Sequence, residues 1–289
     1  MGSADTYADE KYKVEVRREW TLAAPGWRRW FETTEGENAG PVVTGALLDQ
    51  VDLQPGDTVL DVGSGYGEPG LTAAGRVGPT GAVTCLDISG DLLAFAEARA
   101  RTMGLTNVRF AEADAETYDL EPAGFDVILS RAALMYASDP LATLVRLRTA
   151  LLPGGRIAVA VWATPDKVAF AAPVAVMVEM LGIKPPSEGP GPFALGADGV
   201  LEALVRDAGF TDVATGTALA VYETPSPAAC TQFLRDVAPP ITELIADQPE
   251  AVQEEVWARV TEAWAQFQGE DGAVRLPCTA VWASGRAGA

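Results

Sequence analysis

The sequence predicts an α/β fold built on a doubly wound, mostly parallel sheet, and three observations predict it. Residues 59–62 form a short apolar run, followed by glycines at 63, 65 and 67 and then by the helical pattern of residues 71–77. This is the order strand, tight turn, helix. The unit recurs: residues 82–86 end at Asp87 and residues 107–111 lead to Asp114. Each apolar run therefore delivers polar groups to its carboxyl end, where ligands bind in open α/β sheets.

The first turn, Gly63-Ser-Gly-Tyr-Gly67, is the most specific element. Glycine lets the backbone reverse tightly and approach a ligand with no Cβ in the way, while N–H groups at a helix start point toward electron-rich atoms. A dinucleotide fingerprint places its third glycine three residues after the second, at position 68. Glu68 stands there and would set a negative charge against a pyrophosphate. NAD and FAD are therefore set aside. Pro69 is expected in the first turn of the helix, where a missing N–H costs little, and Glu68 suits the positive end of its dipole.

At the end of the second strand, Asp87 can accept from both hydroxyls of a ribose through charge-assisted bonds. A fourth apolar run, residues 125–130, leads into Arg131, and Leu151-Leu-Pro-Gly-Gly-Arg156 forms a turn before a fifth strand over residues 156–162. In this ordered set the chain resembles the class I S-adenosylmethionine-dependent methyltransferases, most closely over residues 41–164. Ser130-Arg131, Asp139-Pro140 opening the next helix and the segment from Trp20 to Trp30 resemble the small-molecule branch that serves ubiquinone and menaquinone biosynthesis. The resemblance implies a seven-stranded Rossmann-like sheet, with S-adenosylmethionine as cofactor and S-adenosylhomocysteine as product. By the same resemblance Asp61, Gly63, Ser64, Gly65 and Gly67 hold the methionine part, Asp87 takes the ribose with Ile88 beside it, and Asp114 with Ala115 faces the adenine. Ser130 and Arg131 lie beside cofactor and substrate.

Composition bounds the partners. A formal net charge of −19 argues against nucleic acid, whose binding depends on neutralising phosphates. The fourth strand is also followed by no N/D-P-P-Y/F/W motif of the amino-base methyltransferases. With no run of 18 apolar residues and no signal peptide, a soluble, cytoplasmic protein without membrane insertion is expected. The three scattered cysteines, Cys85, Cys230 and Cys278, suit packing in a reduced compartment, and no metal site is expected. Six basic residues among the first 30 read as a solvated helix face. Homo-oligomerisation is left open.

The remaining chain reads as decoration. Residues 1–40 form a helical cap, with helices over 7–35 broken at Pro25-Gly26. Residues 41–289 form the methyltransferase domain, with lid insertions at about 165–199 and 225–270. Within them, residues 168–181 read as a helix, 184–199 as a loop rich in proline and glycine, and 227–268 as two or three helices. A helix over 200–208, a sixth strand over 212–222 and a seventh over 276–284 complete the core, the family placing the last antiparallel.

The expected reaction is in-line transfer of a methyl group to a small, largely apolar acceptor: aromatic, polyketide or isoprenoid-like. Tyr12, Trp20, Trp30, Met135, Tyr136, Trp162, Phe170 and Met177, with Trp27 and Met180, are the candidates to line its pocket. No histidine occurs anywhere in the chain, so imidazole cannot serve as general base. Glu32, Glu35, Glu179, Tyr12 and Tyr136 are substitutes, unless the acceptor needs no protein base; no catalytic residue is assigned. The alternative is a methyltransferase-fold protein that promotes cyclisation or rearrangement of a small molecule, with or without methyl transfer. A nonenzymatic cofactor-binding module is disfavoured, since enclosing insertions would serve it no purpose.

Overall fold

The computed structural model describes residues 3–182 and 189–288, with side chains from residue 10. In chain order the first elements are α1 (Ser3–Arg29), α2 (Phe31–Thr34), α3 (Gly40–Val51), β1 (Thr58–Val62), α4 (Gly70–Val77), β2 (Ala82–Asp87) and α5 (Gly90–Thr102). Next come β3 (Val108–Glu112), β4 (Phe125–Arg131), α6 (Pro140–Ala150), β5 (Leu151–Trp162), α7 (Ala172–Leu181) and α8 (Val200–Asp207). The chain ends with β6 (Thr211–Thr224), α9 (Pro227–Val237), α10 (Pro239–Glu243), α11 (Glu250–Ala263) and β7 (Val274–Arg286). Two compact units result: one of Met1–Pro41, Thr164–Gly189 and Leu219–Thr279, the other of Val42–Ala163, Pro190–Ala218 and Ala280–Ala289.

The second unit carries β1 to β5 and parts of β6 and β7 of a sheet whose strand order is β3-β2-β1-β4-β5-β7-β6. Strands β1 to β5 pair in parallel, and β7 runs antiparallel to β5. Parallel strands are covered on both faces and so read as continuous apolar runs. Accordingly Val59, Leu60, Asp61 and Val62 are all at most 5% exposed. Register places Asp61 opposite Cys85 on one side and Leu129 on the other. The chain winds outward from β1 through β2 and β3, then returns to β4 on the far side. The carboxyl ends of β1 and β4 therefore flank the topological switch point.

Local signals fix the helix starts. Ser89 caps α5 by accepting from Leu92 N, and Asp139 caps α6 by accepting from Ala142 N at 2.9 Å, with Pro140 in the first turn. Pro69 is the N-cap residue of α4 and lies one position before the helix that was expected to contain it. The carboxylate of Glu116 gathers the N–H groups of Ser138 and Asp139, at 3.1 and 2.9 Å, ahead of α6. One apolar core joins β1, β4 and β5 to α6 and α8 through Leu60, Ile128, Leu144, Leu147, Ile157 and Val205.

Three boundaries differ from the sequence reading. Strand β5 begins at Leu151, not Arg156, because Leu151 already pairs with Phe125; the chain then bulges, with Gly154 at φ +75°, before pairing resumes at Arg156. Helix α7 begins at Ala172, since Val168 bridges to Cys278 and Ala169–Ala171 form a 3-10 turn. Part of the expected loop over 184–199 lies outside the described residues.

The third difference lies in the first unit: α1 is unbroken through Pro25 and Gly26 and ends only at Arg29. Proline there removes one intrahelical bond, but tertiary packing outweighs local preference. Ala23 and Ala24 are buried, and Gly26 lies so close to α9 that an added Cβ would stand 2.0 Å from the Asp236 carbonyl oxygen. Asp236 also accepts from Trp30 Nε1 at 2.8 Å, from Arg29 at 3.2 Å and from Gln232 at 2.7 Å. Gly26→Ala is therefore expected to push α1 from α9 and destabilise the protein by about 1–3 kcal/mol. Thermal unfolding of the variant checks this, and an unchanged midpoint would mean that the two helices part at no cost.

Candidate functional site

The site is built at the carboxyl ends of β1, β2 and β4 within the second unit. After Val62 the chain turns through Gly63, Gly65 and Gly67, whose φ values of +67°, +53° and +104° lie in the left-handed region. The first and last are packed: an added Cβ would meet Ala133 at 2.1 Å from Gly63 and Leu71 at 2.7 Å from Gly67. Gly65 differs. A Cβ there would meet nothing within 4 Å, so this part of the backbone faces open space.

Two carboxylates of the protein occupy the start of α4. Asp61 Oδ2 accepts from Gly70 N at 2.8 Å, and Glu68 Oε2 from Thr72 N and Oγ1 at 3.3 and 2.7 Å. The positive end of the helix dipole is thus already matched by negative charge.

Asp61 is fully buried, and its second oxygen, Oδ1, has no hydrogen-bond partner. Burial pushes its carboxyl up to about 8, against the Gly70 bond and the nearby Arg131, with Glu68 and Asp87 adding repulsion. Ser130 Oγ at the end of β4 is likewise buried and unpaired, and Ser64 Oγ has only the Cys85 thiol beside it. Buried polar atoms without partners are rare in native proteins, and Asp61 Oδ1 and Ser130 Oγ, on the neighbouring strands β1 and β4, indicate a polar ligand.

Asp87 ends β2. Its Oδ2 accepts from Gly65 N at 2.7 Å and its Oδ1 from Ser89 N at 2.8 Å, while burial raises its carboxyl to about 6. The Ile88 N–H also bonds this carboxylate, and since a carboxylate offers about four lone-pair sites, ligand hydroxyls would share what remains. At the next strand end, Asp114 Oδ1 accepts from Glu116 N at 3.0 Å, with Ala115 packed against the core. Arg131 ends β4, donating from Nη1 to Thr44 Oγ1 at 3.0 Å and from Nη2 to the Tyr66 hydroxyl at 2.9 Å. The next residue, Ala132, takes φ +56°, a conformation disfavoured for an L side chain that turns the chain off the strand.

Asp61, Ser64, Asp87, Asp114, Ser130 and Arg131, expected at the site from the sequence, stand at or just beyond the carboxyl ends of β1 to β4, and the sequence reading did not single out Thr44, Tyr66, Glu68 or Arg99 as their supports. Tyr66 and Glu68 stood within the glycine turn, whereas no spacing ties Thr44 or Arg99 to it. The acceptor-pocket candidates divide between units: Tyr12, Trp20, Trp27, Trp30, Phe170, Met177 and Met180 in the first, Met135, Tyr136 and Trp162 in the second. Met135 and Met177 are core residues, at 2% and 0% exposure. Trp30 packs edge-on against Phe233, with ring centroids 5.6 Å apart.

The first unit has features of its own. An open groove of about 550 Å³, lined by Lys167, Val168, Ala172, Leu219, Phe267 and Thr279 among others, contains none of the strand-end carboxylates. Glu15, Glu19 and Glu243 cluster, but Arg18 bonds both Glu15 and Glu243.

The chain is similar to several known proteins. Residues 53–176 match a family model described as a methyltransferase domain. Aklanonic acid methyltransferase DauC of Streptomyces sp. strain C5 is 33% identical over 153 residues, 52% of this chain and 66% of that protein. Nocamycin O-methyltransferase of Saccharothrix syringae is 32% identical over 197 residues, 63% of this chain and 69% of that protein. Across its curated relatives the matched region spans about a third to two-thirds of their length. Among solved structures, the [4+2]-cyclase SpnF aligns with a TM-score of 0.58 at 20% identity, over 94% of this chain and 95% of its own, a likeness of fold alone.

Proposed function

This chain belongs to the class I S-adenosylmethionine-dependent methyltransferases, and on that premise we propose that it methylates an ionised oxygen of a small, largely apolar, polyketide-type acceptor. The observation that carries the cofactor site is that Asp61 Oδ1 and Ser130 Oγ, on the neighbouring strands β1 and β4, are buried without partners, while the Gly65 backbone faces open space. These groups fit the amino-acid end of the cofactor: Asp61 suits an ammonium, and the carboxylate of Asp87 suits two ribose hydroxyls. Asp114 and Ala115 continue the same row of strand ends toward the base.

The cofactor supplies a methyl group already activated by a sulfonium. What remains for the protein is to exclude water and hold the acceptor oxygen in line with the carbon–sulfur bond at roughly 3–3.5 Å. An oxygen lone pair forms the new carbon–oxygen bond while the carbon–sulfur pair returns to sulfur, leaving neutral S-adenosylhomocysteine. An acceptor that arrives as an anion needs no proton removed. That suits a chain without histidine, and it suits kinship with enzymes named for aklanonic acid and for O-methylation.

The test is mass analysis after incubation with S-adenosylmethionine and a panel of aromatic and polyketide carboxylic acids, their esters, phenols and amines. A product heavier by one methylene from an acid or acidic phenol, with one equivalent of S-adenosylhomocysteine, is expected. Methylation of amines only would overturn the oxygen assignment. Isomerisation with the cofactor unchanged would instead establish the cyclising alternative.

A further inference from the structure

We infer that Arg99, on α5, is a positioning residue that holds the glycine turn in its binding shape and thereby governs recognition of the amino-acid end of the cofactor. The inference rests on the cofactor reading above and extends it to a residue that touches no ligand group. Arg99 Nη1 donates to the Tyr66 carbonyl oxygen at 2.6 Å, and Nη2 to Glu68 Oε1 at 2.8 Å. The side chains of Arg99 and Glu68 are only 15% and 6% exposed, so the pair is shielded from solvent screening.

A turn with three glycines at positive φ is costly to order, because glycine loses the most conformational freedom. Its shape must be held from outside at fixed points. The N–H groups of Gly63 and Ser64 bond the Leu86 carbonyl oxygen and that of Gly65 bonds Asp87, while farther along the turn the planar fork of Arg99 spans two acceptors, at Tyr66 and Glu68. All of these anchors come from the segment β2–α5, whose junction is fixed by Ser89 N–H on Asp87 and by the Ser89 cap. The turn is thus clamped to a single rigid support.

The effect extends to β4. The Tyr66 ring lies with the Arg99 guanidinium 5.9 Å and the Arg131 guanidinium 5.7 Å from its centroid, and its hydroxyl accepts from Arg131. Arg131 in turn contributes to the electrostatic environment of Asp61. Loss of Arg99 would therefore loosen the groups assigned to the methionine part. Asp87 keeps its own support through Ser89, so the ribose side should be spared.

Binding of two probes separates the ends of the cofactor: S-adenosylhomocysteine, and 5′-methylthioadenosine, which keeps the adenosine and sulfur but lacks the amino-acid end. In Arg99→Met the first is expected to bind at least about tenfold more weakly by calorimetry, and the second within about twofold of wild type. Arg99→Met leaves the buried Glu68 carboxylate uncompensated and could fail to fold. Arg99→Lys covers that case: it keeps a charge beside Glu68 but cannot span both acceptors, and should show the same selective loss. Equal losses on both probes, or no loss, in a folded variant would overturn the inference. Wild-type protein that binds neither probe would overturn the cofactor reading and this inference with it.

Discussion

Asp87→Ala is expected to weaken S-adenosylmethionine binding at least about tenfold, since hydrogen bonds to a charged group contribute about 1.5–3 kcal/mol each and two ribose hydroxyls are at stake. The structure adds a second cost. The same carboxylate receives Gly65 N and Ser89 N, so the alanine variant also frees the glycine turn and the entry to α5. Its effect should exceed that of Arg99→Met and should fall on S-adenosylhomocysteine and 5′-methylthioadenosine alike. Because burial raises the Asp87 carboxyl to about 6, affinity in the wild type should decline as pH falls through that value, when the charged acceptor is lost. Titration calorimetry with both nucleosides at several pH values checks this. Undiminished binding by the alanine variant would remove Asp87 from the ribose site.

Much of this site was legible before any coordinates. Parallel strands buried on both faces appear as apolar runs, which is why β1 to β4 could be located to within a residue or two. A carboxylate or glycine at the end of such a run then marks the ligand side of the sheet. Boundaries failed where tertiary contact outweighed local preference. Pro25 and Gly26 read as a break because neither favours a helix, yet Gly26 is where α9 approaches most closely. Pro153-Gly154-Gly155 read as a turn before the strand and instead form a bulge within it, with Gly154 at φ +75°, because Leu151 already pairs with Phe125. Supporting residues were illegible for another reason. The bonds from Arg99 to Tyr66 and from Arg131 to Thr44 join positions 33 and 87 residues apart, and no periodicity encodes such pairs.

Asp61→Asn should show that cofactor recognition is held at the expense of stability. In the wild type a fully buried carboxyl has its ionisation pushed from the ordinary 3.8 up to about 8. A raised carboxyl favours the protonated folded state, so its ionisation destabilises the fold. That cost is absent below the unfolded value and fully present above the folded one, and the ligand-free protein should lose stability as pH rises from about 4 to about 8. Asp87 contributes with the same sign only up to about 6, which leaves the upper part of the window to Asp61. The asparagine variant should therefore unfold at a nearly constant temperature between about pH 6.5 and 8.5, where the wild type declines. Binding should show the opposite trend. An ammonium is held by the ionised form, so wild-type affinity for S-adenosylhomocysteine should increase over the same interval. The variant should bind at least about tenfold more weakly with that increase gone. Thermal denaturation and calorimetry across this window decide the matter, because a structural aspartate that merely caps α4 through Gly70 would leave the pH dependence of binding untouched.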